Sequence, residues 1–152
     1  VLQIYFDGAC GPVNPGGKAG WGWIAYRDGK VVSQEYGYVG EGPEMSNNVA
    51  EYSAILAALI WAKSFDEPVE FRGDSMLVIR QMSGQWKIKR GLYEKYARDA
   101  WRFRRSNHRY TWIPRELNSV ADELSNLGMN CEGEKFGVDK EYQDRMVREY
   151  GA

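Results

Sequence analysis

Four carboxylates carry the chemistry open to this sequence. Asp7 follows the apolar run "LQIYF" and opens "FDGACGPVNPGG" (6–17). Glu51 lies in "SNNVAEYSAILAAL" (46–59), Asp74 in "GDSMLVIRQMSG" (73–84) and Asp122 in "NSVADELSNLG" (118–128). The pattern places Asp7 at the end of the first strand, and the other three at or near helix starts. In a sheet with helices packed on it, strand ends and helix starts converge on one edge, where ligands bind. Four anions gathered there raise one another's pKa values unless a cation joins them. Oxygen ligands with no His or Cys beside them suit a hard cation, Mg²⁺ or Mn²⁺. Two such ions about 3.5–4 Å apart can clamp a phosphodiester, one activating water and the other stabilising the leaving oxygen. That chemistry needs no side-chain nucleophile. The single histidine, His108, sits in a basic turn and reads as a surface residue. Cys10 has no base paired with it and reads as a small filler in its loop.

Each acid also has a structural reading. Asp7-Gly8 is a common turn pair. Asn48 and Glu51 form N-x-x-E, the pattern of a capping box. Asp74 suits the N-cap of the helix it precedes. Asp122 favours the dipole of its helix. The functional reading rests on the four together.

The elements that must position them follow from periodicity. Residues 2–7 read as a strand, and 20–39 as two strands around the hairpin signal Asp28-Gly29. Residues 46–64 form a long helix, apolar on nearly every side and hence deeply packed. "VEFRG" (69–73) is a short strand, and 74–84 a short helix stopped by Gly84. In 92–105, Tyr93, Tyr96, Ala97, Ala100 and Trp101 fall on one helical face. Lys95, Arg98, Arg102 and Arg105 point away from it. "RYTWI" (109–113) alternates as a strand, and 118–128 is a helix stopped by Gly128. The order β-β-β-α-β-α-α-β-α implies a mixed sheet covered by helices. Residues 1–128 form one domain. Residues 129–152 form an acidic tail, in which Tyr142, Met146 and Tyr150 recur at helical spacing.

Composition narrows the class. At 152 residues and 43% hydrophobic content, the chain has the size and apolar content of one globular domain. No apolar run approaches the roughly 20 residues of a membrane span. Two cysteines without a CxxC pair give neither a zinc site nor a disulfide framework. With no leader pattern at the N-terminus, the expectation is a cytoplasmic protein. The net charge of −1 hides an uneven distribution. Residues 80–115 carry 11 Lys/Arg against 2 Asp/Glu, and the segments on either side are acidic. A polyanion could be gripped by the basic block while a metal sits among the acids.

Five blocks in order, "FDGAC", "NPGGKAGWGW", "SNNVAEYSAILAAL", "GDSMLVIRQMSGQWKIK" and "IPRELNSVADELSNLG", resemble ribonuclease H of type 1. The resemblance covers nearly the whole chain up to Gly128. It implies an α/β fold with a five-stranded mixed sheet, a three-strand antiparallel meander plus two parallel strands, with helices on both faces. It implies a monomeric endonuclease that cleaves the RNA strand of RNA/DNA hybrids with two Mg²⁺ ions, Mn²⁺ substituting. The family's metal-binding acids fall on Asp7, Glu51, Asp74 and Asp122. Its substrate-binding positions fall on Cys10, Asn14, Ser46, Asn47, Asn48, Ser75 and Met76, and Trp86 resembles part of the channel for the DNA strand. An Asn amide both donates and accepts, so it suits recognition of a 2′-hydroxyl.

Two departures stand out. Many members carry a proton-shuttling His between the last strand and the fourth acid. Here that interval reads "IPRELNSVA", as in shorter archaeal-like and some bacterial members, and the role is left to Arg115 or Glu116. The long basic protrusion of some members is reduced to "WKIKRG", which shifts substrate grip toward Arg98, Arg102 and Arg105. Two other readings stay open: a nuclease of the same fold acting on double-stranded RNA or DNA, and a non-catalytic module that binds hybrids.

Overall fold

The computed structural model describes residues 1–131. The segment 132–152, with the helical spacing at Tyr142, Met146 and Tyr150, lies outside the described residues. The elements run β1 (Leu2–Gly11), β2 (Gly16–Arg27), β3 (Lys30–Gly42), α1 (Asn47–Ala62), β4 (Val69–Gly73), α2 (Met76–Met82), α3 (Glu94–Arg102), β5 (His108–Trp112) and α4 (Ser119–Asn130). A single 3-10 turn, Arg115–Leu117, joins β5 to α4.

The five strands form one sheet in the order β3-β2-β1-β4-β5. β1, β2 and β3 pair antiparallel, whereas β4 runs parallel to both β1 and β5. Asp28 (φ 53°) and Gly29 (φ 75°) both take the left-handed conformation that a tight two-residue hairpin demands. This is the mixed sheet expected from the order of elements.

α1 packs on one face of the sheet and α4 on the other. The alternation of side chains along β1 and β2 separates the two contacts. A Cβ on Gly8 would lie 2.2 Å from the backbone of Ala50, so only glycine lets α1 come this close. A Cβ on Gly22, whose partner is Asp7, would instead strike Leu124 of α4 at 2.4 Å. The main core lies on the α1 side, where Leu2, Ile4, Phe6, Trp23, Tyr52 and Phe71 are fully buried. α1 is buried nearly all round, because α3 covers the flank that the sheet leaves open.

Several boundaries differ from the sequence reading. β1 does not end at Asp7; its pairing with β2 continues to Gly11 opposite Lys18. The glycine-rich stretch is therefore mostly strand, and the turn is confined to residues 12–15. α4 does not stop at Gly128 but runs on to Asn130. Gly128 is a packing position: a Cβ there would lie 2.4 Å from the carbonyl oxygen of Gly37. Trp101 is not part of the buried stripe of α3. It is 40% exposed, while Tyr96, Ala97 and Ala100 bury. His108 is no free surface residue either. It opens β5, packs edge-on to Phe71 with ring centroids 5.1 Å apart, and accepts a hydrogen bond from the Arg105 backbone N–H.

Candidate active site

β1 pairs with β4 only as far as Tyr5 opposite Arg72. Beyond that point the two strands part, and β1 continues with β2 alone. Asp7 lies just past the parting and Asp74 just after β4, so both acids face the gap. The close seat of α1 on Gly8 brings Glu51, on the first turns of that helix, to the same place. Ligand oxygens of Asp7, Glu51 and Asp74 lie within 4.8 Å of one another.

Asp122 comes from the other face of the sheet. Just before α4, the buried Asn118 donates from Nδ2 to the carbonyl oxygen of Phe6 at 2.9 Å. That bond ties the helix start to the residue preceding Asp7. One turn past Asp122, Asn126 donates to the Asp122 carbonyl oxygen at 3.0 Å, and its amide reaches the carboxylate at 3.5 Å. Asp122 lines the same cavity as the other acids but stands outside their tight cluster.

The capping readings of these acids do not hold. Ser46 caps α1, its hydroxyl accepting from the Val49 N–H, so no Asn48–Glu51 box forms. Ser75, not Asp74, caps α2 by accepting from the Val78 N–H. Both acids are thereby left without a capping role. A carboxylate held off water without a cation should hold its proton more tightly. Burial pushes Asp7 up to about 7, with Asp74 and Asp122 adding repulsion; a hydrogen bond with Glu51 and the Gly8 N–H (2.9 Å) oppose the rise. Burial likewise pushes Glu51 well above the usual carboxylate range, followed by repulsion from Asp7. Asp74 is raised by burial too, while the Arg115 guanidinium pulls it back. Glu51 Oε2 is buried with no hydrogen-bond partner. A hard divalent cation would satisfy that lone pair and offset the mutual repulsion, so the donor set fits one.

The cavity around the acids measures about 570 Å³. Cys10, Asn47, Asn48, Ser75 and Arg115 line it with the four acids. Asn14 is exposed in the turn and does not line the cavity, but its side-chain oxygen accepts from the Asn47 backbone N–H at 2.9 Å. Ser46 is occupied as the α1 cap. Met76 is 36% exposed at the start of α2, outside the cavity lining, with its sulfur against Arg80 Nε. Glu116 is exposed on the 3-10 turn and does not line the cavity, unlike Arg115 beside it. Trp86 lines a separate cavity beyond α2.

The structure adds lining residues that the sequence reading did not name as part of the site, Gly8 and Ala9 beside Asp7 and, farther along the chain, Trp112, Asn126 and Met129. Trp112 donates from its indole N–H to the Asp74 carbonyl oxygen at 3.1 Å. Asn126 was open to prediction, since it lies one turn from Asp122 on the same helix face. Met129 was hidden by the reading of Gly128 as the helix end.

Comparison with known proteins agrees with this architecture. The family model described as "Reverse transcriptase-like" matches residues 5–128. LC11-RNase H1, solved in complex with an RNA/DNA hybrid, is 33% identical; the match covers 88% of this chain and 100% of that one, with a TM-score of 0.77. The chain belongs to the type 1 ribonuclease H family. The RNase H1 of Halobacterium salinarum superimposes with a TM-score of 0.71 at 33% identity, covering 85% of this chain and 97% of that one. Among curated relatives, ribonuclease HI of Halobacterium salinarum is 38% identical over 143 residues, covering 85% of this chain and 64% of the relative. A bifunctional protein of Mycobacterium tuberculosis is 34% identical over 139 residues, covering 83% of this chain. The chain spans about a third of the length of that mycobacterial relative.

Proposed function

We propose that this protein is an endonuclease that hydrolyses the RNA strand of RNA/DNA hybrids, using two divalent ions held by Asp7, Glu51, Asp74 and Asp122. The observation that carries the reading is the acid cluster: three carboxylates within 4.8 Å of one another, with a buried oxygen lacking any partner. Mg²⁺ suits an all-oxygen site, and Mn²⁺ is expected to substitute. When bound, the ions would supply an activated water and charge stabilisation at the leaving oxygen. The protein positions and discriminates. Asn47 and Asn48, at the exposed start of α1, present amides that can donate to or accept from a 2′-hydroxyl beside the acids. Asn14 fixes that helix start through its bond to the Asn47 N–H. Arg115 lines the cavity, where its guanidinium can stabilise a phosphate by charge and hydrogen bonds without moving a proton.

RNA sensing by the asparagines favours the hybrid over a DNA duplex. The retention of all four acids favours an enzyme over a binding module. We further propose that it acts as a monomer in the cytoplasm; among the described residues no helix is long and apolar enough to cross a membrane.

The test is Asp74→Asn. It should abolish Mg²⁺-dependent cleavage and the heat of Mg²⁺ binding while leaving the far-ultraviolet circular dichroism unchanged. Substantial cleavage retained at the same Mg²⁺ concentration would overturn the metal assignment.

A further inference from the structure

Three of the four acids are fixed by the element they stand in. Asp7 lies inside β1, paired with Gly22 of β2. Glu51 lies inside α1 and Asp122 inside α4. Asp74 alone stands between elements, after β4 ends at Gly73 and before α2 starts at Met76. Its backbone groups belong to no strand ladder and no helix, so their partners must come from elsewhere.

The end of β5 supplies them. The Gly73 carbonyl oxygen accepts from the Ile113 backbone N–H at 2.9 Å. The Ser75 carbonyl oxygen accepts from the Ile79 N–H at 3.1 Å, the first bond of α2. Between these two, the Asp74 carbonyl oxygen accepts from the Trp112 indole N–H at 3.1 Å. Among the described residues the indole is its one hydrogen-bond partner. Of the three successive bonds it is the only one made by a side chain, so a substitution can remove it and leave the other two.

Trp112 is the last residue of β5 and sits opposite Gly73 in the register with β4. Ile113 turns into the core and is 8% exposed, whereas Trp112 is 44% exposed and lines the acid cavity. An indole has a single polar atom, which only donates. At this exposed edge that atom is turned inward to the Asp74 main chain and not outward to water.

We infer that Trp112 is a positioning residue for the metal site, its indole N–H fixing the Asp74 main chain so that the carboxylate is held ready beside Asp7 and Glu51. The inference rests on the metal reading proposed above. Ligands that are ordered before an ion arrives bind it more tightly than ligands the ion must itself order. Without the indole N–H, the Asp74 carbonyl turns to water and the junction between β4 and α2 gains freedom that ion binding must remove. The loss falls on ion affinity more than on the fold, because the stack of Tyr110 on Phe71 beneath β5 is untouched.

Two variants separate the donor from the ring. Trp112→Phe keeps a ring and removes the donor; Trp112→Ala removes both. Titration calorimetry with Mg²⁺, on the full chain without nucleic acid, should show both variants binding about three- to tenfold more weakly than the wild type, and by the same factor. In a proton–nitrogen correlation spectrum, the indole signal that Trp112→Phe lacks should shift in the wild type as Mg²⁺ is added. The melting temperature of Trp112→Phe in EDTA should stay within a few degrees of the wild type. Its cleavage of the hybrid should fall at limiting Mg²⁺ and recover at saturating Mg²⁺, with the KM for the hybrid unchanged. Wild-type affinity in Trp112→Phe overturns the inference; if Trp112→Ala alone is weakened, the ring acts by packing and not by its N–H. Cleavage by Trp112→Phe that stays low at saturating Mg²⁺ overturns it too. If the wild type itself shows no saturable Mg²⁺ binding, the metal reading falls and this inference with it.

Discussion

Replacing Gly128 by alanine sets two physical effects against each other, and the structure says which wins. In an exposed helix interior the change would stabilise by about 1 kcal/mol, because glycine is the poorer helix former. Here the new Cβ would lie 2.4 Å from the Gly37 carbonyl oxygen, 2.7 Å from that of Trp21 and 3.0 Å from the Gly37 nitrogen. All three are backbone atoms of the β2–β3 hairpin, which cannot swing aside as a side chain would. Reaching ordinary contact requires α4 to lift by about 1 Å, and overpacking of this kind typically costs about 1–3 kcal/mol. The lift also loosens Ala121, Leu124 and Ser125, the other buried residues of the same helix. The net expectation for Gly128→Ala is a loss of about 1–2 kcal/mol, or a fall in melting temperature of roughly 3–8 °C. Thermal unfolding by circular dichroism in EDTA measures it without interference from metal. Because Asp122 rides on the same helix, the melting temperature gained on adding Mg²⁺ should shrink as well. A melting temperature equal to or above that of the wild type would refute the reasoning. It would mean that α4 is not seated on Trp21 and Gly37, and that this contact does not position the fourth acid.

Three further outcomes follow from the geometry. Asn118→Ala removes a buried bond to the Phe6 carbonyl and should cost about 1–3 kcal/mol in urea unfolding; its cleavage rate should fall more than that of a core variant of equal stability, since the bond aligns Asp122 with Asp7. Arg115→Ala should lower turnover clearly but not abolish it, and Glu116→Gln should do less, because only Arg115 lines the acid cavity; equal turnover of both variants and wild type across Mg²⁺ concentrations would remove this turn from the site. His108 is held down to about 4 by burial, with Arg105 and Arg104 adding repulsion. The unfolded chain therefore binds the extra proton first, and His108 contributes stability above about pH 6.5 that is lost as the pH falls toward 4. The loss should be about 1–2 kcal/mol after allowing for its partial exposure, and the slope of stability against pH in that window should flatten in His108→Gln.

The sequence made the fold legible where pattern and packing agree. The Asp28-Gly29 turn, the apolar run of α1 and the short strand "VEFRG" each allow a single element, and the structure contains it. It was less legible where a glycine serves an approach rather than a turn. Gly8 and Gly128 look like breakers in one dimension; in three they are the places where a helix backbone meets a strand. Hence β1 looked too short and α4 ended too early. Trp101 kept helical spacing yet stayed exposed, because periodicity reports a face and not whether a neighbour covers it. The four acids could be nominated from their places beside strand and helix ends. The tightness of three of them, and the offset of Asp122, depend on where β1 and β4 part, which no local pattern records. Ser46 and Ser75 turned out to be the caps that free Glu51 and Asp74 from that role.

The account's central claim is that the acids and the asparagines at the start of α1 act together on an RNA strand paired with DNA. The direct measurement is cleavage of length- and sequence-matched RNA/DNA, RNA/RNA and DNA/DNA duplexes, each labelled on either strand, with Mg²⁺, with Mn²⁺ and with EDTA. The account predicts internal cuts in the RNA strand of the hybrid alone, with either metal and none in EDTA. Cleavage of the DNA strand, comparable cleavage of either pure duplex, or cleavage that survives EDTA would contradict it.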